Sequence, residues 1–165
     1  MELLLIRHAI AEPRNARRWP GDRERPLSRL GVQRATQAAR GLRRLKVKPS
    51  VLLCSPLKRT RQTADILRLA AHWPRAVACG QLAPGQEPAR LLTYLSTFDV
   101  PRVALVGHEP ELGQLAELCL DGASFDGRIE LKKLGALCLA FEHRPAASHA
   151  QLLWLLPPRL LRAVR

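Results

Sequence analysis

Three short apolar runs, each stopping abruptly in polar residues, constrain this chain more than any other feature. Leu3-Leu-Leu-Ile6 ends in Arg7-His8, Val51-Leu-Leu-Cys54 ends in Ser55-Pro56, and Arg102-Val-Ala-Leu-Val-Gly107 ends in His108. Runs of this length, apolar at successive positions, suit strands buried on both faces of a parallel sheet. They are far too short to cross a membrane.

The segments between them have helical spacing. Ser28 reads as an N-cap. The helix after it carries Val32, Ala35, Ala38, Ala39, Leu42 and Leu45 on one stripe, with a basic opposite face. Gly31 and Gly41 weaken it, and Lys48-Pro49 closes it. Pro56 suits the first turn of a second helix reaching about Ala71, with Thr63, Ile66, Leu67 and Ala70 inward. Ala76–Cys79 reads as a third strand, 81–88 as a loop, and Ala89–Phe98 as a short helix with Leu91, Leu92 and Leu95 inward. A helix over 111–120 follows His108, then a polar loop from Asp121 to Arg128. Gly135–Phe141 and Leu152–Leu156 read as closing strands, paired across a loop of residues 143–150. Strands alternating with helices predict an α/β fold: a single domain with a mostly parallel sheet flanked by helices.

Lys and Arg number 27 against 14 Asp and Glu, a net charge of +13. That balance suits an anionic partner, although much of it can be solvated surface. Cys54, Cys79, Cys119 and Cys138 form no Cys-x-x-Cys pair, so neither a zinc nor a redox motif is supported. They read as reduced core residues of a cytoplasmic protein. The N-terminus lacks the basic start and cleavage pattern of a signal peptide. Residues 10–26 hold Pro13, Pro20, Gly21 and Pro26 among Arg14, Arg17, Arg18, Arg23 and Arg25, and read as a basic loop.

Open α/β sheets bind ligands beyond the carboxyl ends of their strands. Arg7-His8, Arg59 and His108 all follow strand ends, so parallel neighbours would gather two guanidinium groups and two imidazoles. Guanidinium forks match phosphate oxygens, helix N-termini add donors, and no matching carboxylates are expected. Such a pocket suits a phosphoryl group. His72, His143 and His149 lie outside any motif and read as surface residues.

Leu5-Ile-Arg7-His8-Ala9 resembles the N-terminal signature of the histidine phosphatase, or phosphoglycerate mutase-like, superfamily, with Ala9 where Gly is usual. Ser55-Pro-Leu-Lys-Arg59-Thr-Arg-Gln-Thr-Ala64 resembles its second phosphate-binding segment, and motif register selects Arg59 over Arg61. Val106-Gly-His108-Glu-Pro110 resembles the segment of the second histidine, and Arg25-Pro-Leu-Ser28-x-x-Gly31 the start of the first helix. The agreement spans roughly residues 1–140 and is closest to SixA-like phosphohistidine phosphatases. The resemblance implies a three-layer α/β sandwich over residues 1–165. It implies a nucleophile at His8, phosphoryl contacts from Arg7, Arg59 and His108, and neither metal nor cofactor. His8 should attack as a neutral ring whose other nitrogen donates to a carbonyl. His108 is more useful protonated, a state that bound phosphate favours. Glu109 could orient His108 or simply begin a helix.

Many relatives carry an acid after the third strand to protonate the leaving oxygen. Here Leu82-Ala83-Pro84 offers none, and Glu87 is displaced. An alkoxide needs that proton, whereas imidazole, with a conjugate-acid pKa of about 6.5, leaves without a dedicated acid. The expected substrate is therefore phosphohistidine on a protein, with a small-molecule or polymeric phosphate as the alternative, kept open by Lys132, Lys133 and the Arg-rich loop. A non-enzymatic nucleic-acid module is disfavoured, since aromatic residues are few.

Overall fold

The first apolar run alternates between two cores. Leu4 and Ile6 face one, Leu3 and Leu5 the other, and all four are buried. This period of two is what a strand covered on both faces requires. The computed structural model describes residues 1–123 and 128–164.

In chain order the elements are β1 (Glu2–Arg7), α1 (Arg29–Arg44), β2 (Val51–Cys54), α2 (Lys58–Ala71), β3 (Val77–Ala78), α3 (Pro88–Leu95), β4 (Arg102–Gly107), α4 (Glu111–Asp121), β5 (Ala136–Phe141), β6 (Ala150–Leu156) and α5 (Pro158–Ala163). The strands form one sheet in the order β3-β2-β4-β1-β5-β6. β1 to β4 are mutually parallel, and β5 runs antiparallel to both β1 and β6. Helices α1, α2 and α5 pack on the face bearing Leu4 and Ile6, and α3 and α4 on the face bearing Leu3 and Leu5. The result is the expected three-layer α/β sandwich with a mostly parallel sheet.

Ser28 caps α1 as expected, its Oγ accepting from the Gly31 N–H at 3.0 Å. The inward stripe differs in detail. Val32 and Leu45 stay exposed, while Gly31 and Gly41 are buried with Ala35, Ala38, Ala39 and Leu42. A Cβ on Gly31 would collide with the Ile10 carbonyl, and one on Gly41 with the Leu161 carbonyl. The glycines that weaken α1 as an isolated helix let it touch other backbone directly.

On α2 the buried stripe is Arg59, Thr60, Thr63, Ala64, Leu67 and Ala71, with Ile66 and Ala70 only half-buried. β3 shrinks to two exposed residues at the sheet edge. α3 starts at Pro88, a favoured first-turn position, and ends at Leu95. β6 begins at Ala150, two residues early. The expected polar loop from Asp121 to Arg128 lies partly outside the described residues, and Asp121 itself ends α4. Helix α5 was not expected; Pro158 occupies its first turn. The four cysteines are buried and free, and burial raises their thiol pKa values. Among the described residues, no helix is long and apolar enough to cross a membrane.

Candidate active site

The register of β4 with its two neighbours brings the candidate residues together. Arg7 pairs with Gly107, and Cys54 with Val106. One step beyond, His8 N–H donates to the Gly107 carbonyl and Ser55 N–H to the Val106 carbonyl, both at 3.0 Å. His8, Ser55 and His108 therefore leave the sheet side by side, at the point where connections diverge to opposite sides. A hollow of about 550 Å³ opens there, lined by Arg7, His8, Arg59 and His108 among others.

His8 Nδ1 lies 2.7 Å from the Ala9 carbonyl, a pure acceptor, so Nδ1 carries the proton. Ala9 is fixed in turn: its N–H donates to Thr63 Oγ1 at 3.1 Å, and Thr63 Oγ1 donates to the Arg59 carbonyl at 2.7 Å. The lone pair on His8 Nε2 faces the Arg59 Nε–H at 3.3 Å. The same guanidinium approaches His108 Nδ1 through Nη2 at 3.4 Å, and His108 Nε2 lies 2.9 Å from Ser55 Oγ. A guanidinium only donates, so it sets both tautomers: Nδ1–H on His8 and Nε2–H on His108. The two rings meet edge-on with centroids 5.1 Å apart.

Burial pulls the His8 pKa down to about 4, assisted by Arg59 and Arg7. Burial, then His8 and Arg59, pulls His108 down to about 3. Both imidazoles are neutral at pH 7 without an anion. This meets the expectation for His8. The expected protonated state of His108 requires the charge of a bound phosphoryl group.

Arg7 Nη1 donates to the Leu131 carbonyl at 2.7 Å and lies 3.3 Å from Glu130 Oε1. Its Nε is buried with no hydrogen-bond partner among the described residues. Glu109 lines the hollow but does not orient His108. Its Oε1 accepts from the Leu131 N–H at 3.1 Å, and its carboxylate also accepts from the Gly113 N–H in the first turn of α4. Leu131 thus joins the two residues, its N–H on Glu109 and its carbonyl on Arg7. Burial raises the Glu109 pKa to about 7.

The expectation of no carboxylate in the pocket is corrected. Glu12 and Asp22 line it from the basic loop. Asp22 pairs with Arg59 at 3.0 Å and with Arg25 at 2.7 Å, and the Arg25 hydrogen bond holds its pKa below the usual range. The loop base is pinned by an Ala11–Leu27 bridge and by the Leu27 N–H donating to Gln62 Oε1 at 2.7 Å. The segment after β3 contributes only Pro84 to the lining, and Glu87 pairs with Arg90 at 3.0 Å outside it. His72, His143 and His149 are exposed, as expected. Among the described residues, no group of three or more His, Cys, Asp or Glu is placed to hold a metal ion.

The α/β sandwich is that of the phosphoglycerate mutase-like class, and two imidazoles and two guanidinium groups meet at its switch point. The family model for the histidine phosphatase superfamily (branch 1) matches residues 3–78. An uncharacterised protein of Picosynechococcus is 35% identical over 142 residues, covering 84% of each chain. The chain belongs to the histidine phosphatase superfamily. The solved structure of the protein histidine phosphatase SixA complexed with tungstate superposes with a TM-score of 0.83 at 23% identity, covering 98% of this chain and 99% of that one. The Agrobacterium tumefaciens protein designated a phosphohistidine phosphatase SixA gives 0.78 at 22% identity, over 95% and 97% of the two chains. A phosphoserine phosphatase from Entamoeba histolytica shares the fold at 0.68 and 16% identity, over 96% and 98%.

Proposed function

We propose that this chain removes the phosphoryl group from phosphohistidine on a protein, through a phosphohistidine formed on His8. The His8 Nε2 lone pair attacks phosphorus, and the substrate P–N bond breaks. The substrate imidazole, protonated at its other nitrogen, leaves neutral. Water then attacks phosphorus, the P–N bond to His8 breaks, and phosphate departs. Arg59, Arg7 and His108 hold the phosphoryl oxygens, and a phosphoryl oxygen supplies the acceptor that Arg7 Nε lacks. These groups stabilise the charge spread over the transferring phosphoryl group, which is why the reaction needs no metal.

The observation that carries the substrate reading is the wall after β3, where Pro84 stands instead of a carboxyl group, while Asp22 is paired with Arg25 and Arg59 and Glu109 is hydrogen-bonded to the Leu131 N–H on other walls. Exchanging one imidazole P–N bond for another demands no strong acid, whereas expelling an alkoxide does. The test compares kcat/KM, without added metal, on a phosphohistidine protein and on an aliphatic phosphate monoester, with His8→Ala as control. A preference for phosphohistidine that the variant abolishes is expected. Equal turnover of the aliphatic ester would transfer the lead to small-molecule phosphates, a reading favoured by Lys133 in the pocket lining. Activity surviving in His8→Ala would sink the mechanism.

A further inference from the structure

A second concavity opens beside the candidate active site. It is a groove of about 790 Å³, and Arg7 and Lys133 line both hollows. Folding gathers cations here that lie far apart in sequence: Arg34 on α1, Lys132 and Lys133 ahead of β5, and Arg159 and Arg162 on α5. None of these five makes an ion pair among the described residues. Among the described residues Glu130 is the only carboxylate in the lining, and it is engaged by Arg7. The rest of the lining is largely aliphatic, including Ile10, Leu134 and Pro157.

Like charges crowded in a concavity repel one another, and low-dielectric walls focus their field onto whatever enters. A solvated basic face has no reason to be concave or to run into a phosphoryl pocket. An anion in this groove meets positive charge from three parts of the chain. Among the described residues no aromatic ring lines it, so they offer no platform for stacked bases. Aliphatic surface between cations suits a peptide, whose stems pack while its carboxylates pair.

We infer that this groove docks an acidic segment of the phosphohistidine-bearing protein, beside the imidazole being dephosphorylated. The identity of the partner rests on the proposed function. A small phosphate fills only the neighbouring hollow and draws nothing from the groove.

Binding of labelled peptides, followed by fluorescence anisotropy at physiological salt, tests this. One peptide carries a non-hydrolysable phosphohistidine mimic with Asp and Glu flanks. A second carries the mimic with neutral flanks, and a third has plain histidine with acidic flanks. Acidic flanks should tighten binding of the mimic about tenfold. Arg34→Glu with Arg159→Glu should erase that advantage while the neutral-flanked mimic still binds. Both residues are exposed, and an unchanged melting midpoint verifies folding. Arg40→Glu with Arg43→Glu makes the same charge change around a different hollow, and should keep the advantage.

Equal affinity for the two mimic peptides would overturn the groove. So would an equal loss in the Arg40 and Arg43 variant, which would assign the effect to overall charge. Displacement of the acidic peptide by a single-stranded oligonucleotide at lower concentration would also overturn it, in favour of nucleic acid. A plain-histidine acidic peptide binding as tightly as its mimic would uphold the groove and overturn the phosphohistidine reading. A mimic that binds well without any benefit from acidic flanks would do the reverse.

Discussion

Asp22 sets its carboxylate 3.0 Å from Nη1 of Arg59 and its main-chain carbonyl 3.0 Å from the same nitrogen. A loop residue therefore neutralises the buried cation at the centre of the site. The Arg25 hydrogen bond keeps Asp22 ionised, so under the proposed mechanism an arriving phosphoryl group shares Arg59 with a carboxylate. Asp22→Asn removes the charge and keeps the main-chain contact. Inorganic phosphate should then bind about three- to tenfold tighter by calorimetry, the size expected for a half-exposed pair. Weaker binding would mean that the carboxylate instead orients Arg59.

Arg59 reaches both imidazoles and Asp22 through one planar group. Lysine is a point charge on a flexible stem and cannot hold that fork. Arg59→Lys should lower kcat/KM by about 10²- to 10³-fold, the usual loss for a preorganised charge-stabilising donor. Steady-state kinetics on an aryl phosphate reads this directly. A loss below about threefold would show that positive charge, rather than the fork, is what the site needs.

Gly41 touches the Leu161 carbonyl where α1 crosses α5. Gly41→Ala adds one methyl group against backbone, which cannot rotate away. The gain in helix propensity, about 1 kcal/mol, is outweighed by overpacking of about 1–3 kcal/mol. The urea midpoint should fall. A rise would show that α5 moves freely enough to accept the methyl group.

The legible parts of this protein are those that depend on neighbours in sequence. Leu3–Ile6 and Val103–Val106 announce buried strands by composition alone, and a strand end predicts where His8 and His108 emerge. Gly41 was misleading because its role depends on Leu161, far along the chain. Asp22 was missed for the same reason. Nothing near it marks a partner for Arg59, and the contact exists only once the 10–26 loop is pinned through Leu27 to Gln62. Helix α5 was hidden by its prolines, since Pro157-Pro158 signals a stop to a local reading and a start to the folded chain. The Ser55 hydroxyl could have been suspected from its place at a strand end beside Pro56, but its pairing with His108 depends on β2 and β4 being neighbours.

Glu109 and the two histidines give stability opposite dependences on pH. Unfolded histidines protonate near 6.5, but His8 and His108 do so only near 4 and 3 in the folded chain. Between about pH 4 and 6.5 the unfolded chain therefore holds about two more protons on these rings, so stability rises with pH and is lost on acidification. Glu109 is raised from 4.5 to about 7. Between those values the folded chain holds about one extra proton, so this term falls as pH rises. The net difference near pH 5.5 is about one proton, a slope of roughly 1.4 kcal/mol per pH unit. Glu109→Gln removes the opposing term and keeps an oxygen for the Leu131 N–H. Its slope should approach about 2.7 kcal/mol per pH unit, measured from urea unfolding at several pH values around 5.5. Parallel slopes for the two proteins would show that Glu109 titrates in the folded chain as it does in the unfolded one.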